Sequence, residues 1–228
     1  MLSLSDHLKP WSELNIACID FETTGPDPKT CEPVELAVVR FEGGEVVSRY
    51  STLIEPDAAI PPEATAIHGI TDEMVRERGT AASMAWADAQ HLLRGAIPCA
   101  YHAPFGSTIL HRIMVDALDG QAVARWLELE TAWPWLDPLV WVRQLDRFVA
   151  GKGRHTLSAA CARRGIVLEG AHRAAADAEA AGRLLFHPSL RALGGSSTIS
   201  EVLRRQSATA ADQQADFERW RASQPVQP

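Results

Sequence analysis

The apolar positions of this chain form short strand-like runs at the front and helically spaced runs behind them. Asn15-Ile16-Ala17-Cys18-Ile19 is a short apolar run that reads as a buried strand. A second strand is predicted through residues 34–41 and a third at about 45–54, with Gly43-Gly44 as the turn between them. So short a turn implies antiparallel neighbours. Pro26, Pro28 and Pro33 mark a loop over 26–33, and Pro56, Pro61 and Pro62 mark the next. Thr71 sits as an N-cap, with Asp72 and Glu73 in the first turn of a short helix. A longer helix is predicted over 80–94, ended by Gly95, then a fourth strand over 96–101 and a helix from about 106 to 118. Helical character over 121–131 and a short fifth strand at 133–136 come next. A helix at 138–148, a basic loop at 151–154, and helices at 156–164 (closed by Gly165) and 174–186 follow. A strand meander succeeded by alternating strands and helices predicts an α/β fold with a five-stranded mixed sheet flanked by helices. From Ser189 the character changes: Gly194-Gly195-Ser196-Ser197 reads as a linker, and helical pieces are expected near 199–206 and 208–222. The expected division is therefore 1–188 as the main domain and 189–228 as a C-terminal helical tail. No internal repeat is evident.

The 228 residues suffice for one full-sized domain with an appendage, and 46% hydrophobic with 22% charged residues is an ordinary globular composition. A net charge of −7 argues against a protein that coats duplex nucleic acid by bulk electrostatics. It leaves room for one that grips a few nucleotides in a cleft. The first seven residues lack a signal-peptide pattern, and no apolar run is long enough to span a membrane. Cys18, Cys31, Cys99 and Cys161 are scattered, with no C-x-x-C pair. Reduced core thiols, a cytoplasmic location and no membrane partner are expected.

The chemistry concentrates where the first strand ends, in Asp20-Phe21-Glu22-Thr23-Thr24-Gly25. Residues two apart on a strand share a face, so Asp20 and Glu22 aim their carboxylates at one point. Like charges held together and buried need a reason, and a hard divalent cation with oxygen ligands is the usual one. Taken alone, such a pair equally describes a strand ending in solvent. Thr23-Thr24-Gly25 turns the backbone and leaves small groups, which suits close approach of a phosphate or nucleotide. Late in the chain stands His172-Arg173-Ala174-Ala175-Ala176-Asp177. Five residues along a helix turn about 500°, so His172 and Asp177 converge only if His172 precedes the helix and Asp177 lies in its first turns. An Asp near a helix start is also favoured by the helix dipole alone. A histidine beside a metal-bound water suits general-base work, since its ordinary pKa is about 6.5.

Together, D-x-E-x-T-G on the first strand and H-x-x-x-x-D on a late helix resemble the DEDDh branch of the ribonuclease-H-like 3′–5′ exonucleases. That family includes the proofreading subunit of bacterial replicative DNA polymerase. The resemblance spans about 15–186 and includes Ala66 to Met74, Cys99 to Leu110, Leu136 to Leu139 and His155 to Ser158. It implies a ribonuclease-H-like fold and a two-metal site for Mg²⁺ or Mn²⁺. Asp20, Glu22 and Asp177 would hold the first ion, Asp20 would bridge to the second, and His172 would be the base. Thr23 and Thr24 would lie against the terminal nucleotide, with His68 and Phe105 near its base or sugar. For His68 a turn role, and for Phe105 a core role, fit equally well. Zinc is not expected, because no Cys/His cluster has the spacing.

The middle motif, H-N-A-x-F-D in the family, reads Tyr101-His102-Ala103-Pro104-Phe105-Gly106 here. The fourth carboxylate is replaced by Gly106. One carboxylate is worth at most about 4 kcal/mol of attraction to a cation at 4 Å and effective dielectric near 20, so the second metal should bind more weakly. His102 is a candidate compensating ligand or substrate contact, and Ser107 a candidate for orienting a metal water; ordinary helix-start chemistry explains both equally. The expected function is a metal-dependent exonuclease on single-stranded DNA or RNA 3′ ends, with reduced activity. The alternative is a catalytically weak nucleic-acid-end binder or polymerase-associated module. Lys152, Arg154, Arg163 and Arg164 could guide the backbone or form a solvated face. Phe217 and Trp220 could dock a polymerase or other protein partner through the tail, or pack on the chain's own core.

Overall fold

The computed structural model describes residues 6–117 and 135–223. Its strands are β1 (Asn15–Thr23), β2 (Pro33–Glu42), β3 (Glu45–Leu53) and β4 (Ala96–Cys99). They form one mixed sheet in the order β3-β2-β1-β4, with β1 antiparallel to β2 and parallel to β4. Around it lie α1 (Pro62–His68), α2 (Asp72–Arg78), α3 (Ala82–Ala89), α4 (Ala103–Ala117) and α5 (Pro138–Leu145). The chain continues through α6 (Leu157–Arg163), α7 (Ala174–Phe186), α8 (Pro188–Gly194) and α9 (Ile199–Ser223).

Strand alternation sorts the core into two layers. Ile16, Cys18, Ala37, Val39 and Phe41 face α7, whose Ala174, Ala178 and Leu185 complete that layer. Ala17, Ile19, Phe21, Leu36 and Val38 face α3 and α4 through Ala85, Ala89, Ile109 and Leu110. Asp20 and Glu22 continue the first parity and so point to the α7 side. The helix can approach closely because Gly182 has no side chain: a Cβ there would overlap the Phe41 ring. Asp177 on α7 is thereby brought over the end of β1.

The sequence expectation of five strands is corrected to four among the described residues. The fifth is reduced to one bridge, Leu136 beside Cys99. Its amide donates to the Pro98 carbonyl at 2.9 Å and its carbonyl accepts from the Ala100 amide at 3.1 Å. The strand stops there because Asp137 is the N-cap of α5 and Pro138 its first residue. A side chain completes the outer edge. Gln206 of α9 donates Nε2 to the Trp135 carbonyl at 2.9 Å and accepts the Asp137 amide on Oε1 at 2.8 Å. One glutamine amide thus meets the outward backbone groups on both sides of Leu136, as a further strand would. Helical character expected over 121–131, and residues 133–134 of the expected strand, lie outside the described residues.

Several boundaries shift for local reasons. The Pro61-Pro62 loop opens α1, because proline at N1 is pre-set for a helix. The helix expected over 80–94 is α3 followed by a 3-10 turn at Gln90–Leu93, with Gly95 left-handed at φ 66°. The fourth strand ends at Cys99, and the helix expected from 106 begins at Ala103. The helix expected over 138–148 ends at Leu145. The two expected tail helices are one, since Gln206 and Gln213 both anchor α9 to the 135–140 segment. Before it, α8 occupies part of what reads as linker, and Leu190, Ile199 and Val202 join the α7-side core. Phe217 and Trp220 are exposed on α9 and pair with each other at 5.8 Å between ring centroids. Among the described residues no helix is long and apolar enough to cross a membrane.

Replacing Gln206 by Met keeps its bulk but leaves the Asp137 amide and Trp135 carbonyl without their partner. A loss of about 1–3 kcal/mol in urea unfolding is expected. A midpoint unchanged from wild type would mean that the Gln206 clasp does not hold the tail to the sheet.

Candidate active site

Three carboxylates meet above the end of β1. Potential ligand oxygens of Asp20, Glu22 and Asp177 all lie within 4.8 Å of one another. β1 supplies two of them through its period of two, and α7 supplies the third from its first turns. Burial pushes the Asp20 carboxyl well up, and the charges of Asp177, Glu22 and Glu35 add to the effect. Burial first, then Asp177 and Glu35, raise Glu22 to about 7, with Arg173 opposing. Asp177 is also raised by burial, against the opposing His172 amide. Its Oδ1 is buried without a hydrogen-bond partner. An all-oxygen set that repels itself and keeps one orphaned acceptor fits a hard divalent cation.

His172 and Asp177 converge as the loop geometry requires. His172 lies before Arg173, the N-cap of α7, in a left-handed conformation at φ 65°. Its amide donates to Asp177 Oδ2 at 3.2 Å, and its side chain is exposed. The one other non-glycine residue with positive φ among the described residues is His102, at 68°, immediately before α4. Left-handed non-glycine residues carry strain and tend to cluster at functional sites.

The remaining sequence candidates fall into place unevenly. Thr23 donates its hydroxyl to the Gly25 carbonyl at 2.8 Å, and Thr24 accepts the Glu32 amide at 2.9 Å. Both hydroxyls therefore shape the turn beside the triad. His68 is buried at the end of α1. Its Nδ1 accepts the Ile70 amide at 3.0 Å, which leaves the proton of the neutral ring on Nε2, a buried atom without a partner. Burial holds the His68 pKa down; the nearby Thr23 carbonyl and Glu35 oppose this, while His172 and Arg173 reinforce it. His68 thus stands by Thr23 and the His172 corner, with the Thr23 carbonyl near its ring but no well-formed hydrogen bond at Nε2.

Phe105 and His102 stack at 6.4 Å between centroids. His102 does not join the carboxylate cluster found among the described residues. Its amide and that of Ala103 bind Asp137 at 3.0 and 2.9 Å, so Asp137 caps α4 as well as α5. Ser107 turns its hydroxyl back to the Pro104 carbonyl at 3.4 Å. Gly106 is buried in α4, and a Cβ there would meet Ala100 at 3.5 Å and Trp135 at 3.8 Å, both ordinary contacts. Of the basic residues, Arg163 and Arg164 are both paired with Asp146, while Lys152 and Arg154 are exposed.

Sequence reading missed Glu35. It is almost fully buried, at 2% exposure, and pairs in register with Glu22 on the neighbouring strand. Burial pushes its carboxyl up, but Arg173, the Ala174 amide and Ser51 together hold it below its ordinary value. The available signal was a lone acid in the apolar run Val34-Glu35-Leu36-Ala37-Val38-Val39.

Comparison with known proteins agrees with this architecture. The chain is 31% identical over 185 residues to the uncharacterized exonuclease CP81 of Escherichia phage 186, covering 77% of this chain and 88% of that protein. It is 32% identical over 168 residues to the PolC-type DNA polymerase III of Oceanobacillus iheyensis. That match covers 73% of this chain but 11% of the polymerase, and the chain spans 6% and 4% of two Thermotoga PolC-type relatives. Among solved structures, E. coli exonuclease I in complex with a dT13 oligonucleotide superposes with a TM-score of 0.63 at 20% identity, over 79% of this chain and 42% of that one. Exonuclease X in complex with 5′ overhanging duplex DNA gives 0.57 at 24%, over 80% and 95%. The exonuclease family model RNase_T matches residues 17–185, and the chain belongs to that family.

Proposed function

We propose that this protein is a divalent-metal-dependent 3′–5′ exonuclease that releases nucleoside 5′-monophosphates from single-stranded or frayed DNA or RNA ends. The observation that carries this reading is the convergence of Asp20, Glu22 and Asp177 beside the His172 corner. Family membership and the oligonucleotide-bound exonuclease neighbours support it. In this reading residues 1–188 carry the chemistry and 189–228 form a helical tail. Exposed Phe217 and Trp220 offer a polymerase or other protein partner a contact on that tail. Four free, buried cysteines support a reducing cytoplasmic setting.

Asp20, Glu22 and Asp177 would hold Mg²⁺ or Mn²⁺, hard ions suited to oxygen ligands and phosphate chemistry. Such ions, when bound, polarise the scissile phosphate and acidify the attacking water. His172 takes the proton of that water on its exposed ring. The oxygen would form a bond to phosphorus while the bond to the 3′ oxygen of the preceding nucleotide breaks, and that oxygen would take a proton from solvent to become the new 3′ hydroxyl. The Thr23–Gly25 turn and the His68 Nε2–H bound the space for the terminal sugar, and Phe105, stacked on His102, offers a flat surface to its base.

Gly106 favours a second reading, an end-binding module that keeps the fold with little hydrolysis. The two readings separate on 5′-labelled single-stranded DNA and RNA with Mn²⁺. The exonuclease reading expects a chelator-sensitive ladder shortening from the 3′ end. Gly106→Asp, whose Cβ has room, should raise the rate by about tenfold or more. His172→Ala should lower it by about 10²–10⁴-fold. Folded but inert wild type and Gly106→Asp proteins would leave the binding module as the function.

The raised carboxyls also predict a pH effect on stability. The folded metal-free protein binds protons that the unfolded chain has released, so stability falls as pH rises through the folded values. The window runs from the ordinary carboxylate range up to about pH 7, where Glu22 titrates in the folded protein, and the raised Asp20 and Asp177 act in the same direction. In chelator, Tm should drop across that window, and Mn²⁺ should raise Tm more at its upper end than at its lower. A pH-independent Mn²⁺ shift would show that the ion binds elsewhere.

A further inference from the structure

Among the described residues, Glu35 is the buried carboxylate beside the triad whose two oxygens are both engaged by protein donors. Oε1 accepts the Ser51 hydroxyl at 2.9 Å and Arg173 Nη2 at 3.0 Å. Oε2 accepts Arg173 Nε at 3.2 Å and the Ala174 amide at 3.1 Å. These four bonds tie β2 to β3 on one side and to the first residues of α7 on the other. Glu22, its register partner on β1, is in the triad. Glu35 is 2% exposed, whereas the Arg173 side chain is 51% exposed and lies over it.

The geometry points to Glu35 as a positioning residue, which with Arg173 fixes the corner that carries His172 and Asp177. This rests on the exonuclease reading of the triad and names a residue outside it. The Ala174 amide is one of the donors at the start of α7 that the helix itself cannot satisfy. Glu35 takes it, and the forked Arg173 contact fixes the N-cap residue in the same act. His172, next in the chain, is thereby held left-handed with its amide on Asp177. Three links follow one another in space: the sheet holds Glu35, Glu35 holds residues 173–174, and those residues set His172 against Asp177. Glu35 is also kept from acting as a ligand, because both of its oxygens are already engaged.

The test uses the full chain with Glu35→Gln and Arg173→Met. The glutamine keeps size and one acceptor but turns an NH₂ toward the Arg173 or Ala174 donors. The methionine removes the forked contact and leaves the Ala174 bond. Hydrogen exchange at the His172 and Ala174 amides should speed up about tenfold or more in Glu35→Gln. In Arg173→Met the His172 amide should respond more than that of Ala174. On single-stranded DNA, kcat should fall about ten- to a hundredfold in Glu35→Gln while KM stays within about threefold, the pattern of a supporting residue. The two substitutions combined should cost no more than Glu35→Gln alone, since both break one unit. Unchanged exchange at His172 and Ala174 in a folded variant overturns the proposal, whether or not the protein degrades nucleic acid. So does a kcat within about twofold of wild type where the wild type is active. If the wild type proves inert, the exonuclease reading fails and the exchange result alone decides the role of Glu35.

Discussion

Mutual repulsion among three carboxylates is the constraint around which the site is organised. Two like charges 4 Å apart at effective dielectric near 20 repel by about 4 kcal/mol, and Asp20, Glu22 and Asp177 hold oxygens within 4.8 Å of each other. The fold offsets part of this locally. Asp177 sits near the positive end of α7 and accepts the His172 amide. Arg173 reaches Glu22 electrostatically while pairing with Glu35. The remainder is uncompensated, as the raised carboxyls and the orphaned Asp177 Oδ1 both record. That residual fits a hard cation, and the packing of the scaffold keeps the three carboxylates together. The bare Gly182 lets α7 pack directly on Phe41, and β1 is paired with β2 through Asp20 and Glu22 and with β4 over Asn15–Cys18.

What the sequence disclosed and what it withheld follow from the range of the forces involved. β1, β2 and β3 were legible because strand alternation and a two-glycine turn are local signals. The cap at Thr71 is local as well, and its hydroxyl accepts the Met74 amide. Asp20, Glu22 and Asp177 stood out because charge in an apolar context is conspicuous. His172 required one further step, from the angular spacing of a helix to a loop before it, and its left-handed φ of 65° was not announced by that spacing. Glu35 escaped notice although it too is a charge in an apolar strand. Its partners, Ser51, Arg173 and Ala174, lie 16, 138 and 139 residues away, and no local pattern announces them. The fifth strand failed for a similar reason. Its outer neighbour is a glutamine side chain 69 residues on, which no strand signal could reveal.

Gly106 stands where the resemblance to the DEDDh pattern leads one to expect an acid, in a motif where Tyr101 and His102 also differ. Everything that places the residue is present. Asp137 caps the start of α4 through two amides, Phe105 is stacked, and a Cβ at 106 would make only ordinary contacts. The α4 backbone could therefore carry a side chain at 106 without being displaced. Removing one anion from a crowded set weakens the hold on a cation and relieves repulsion among those that remain, so the two effects partly cancel.

The tail connects to the same end of the molecule through Asp137. Gln206 fixes the segment that carries it, Asp137 fixes the first amides of α4, and α4 presents Phe105 and Gly106. On the other side, Glu35 fixes the first residues of α7, which presents Asp177. Two helix starts, those of α4 and α7, thus have orphaned amides taken by a buried carboxylate from elsewhere in the chain. A helix start so held has little freedom to rotate, because the capping acid is itself pinned by other donors. At α7 that restraint keeps Asp177 in place beside Asp20 and Glu22, and at α4 Asp137 does the same for Phe105 and Gly106.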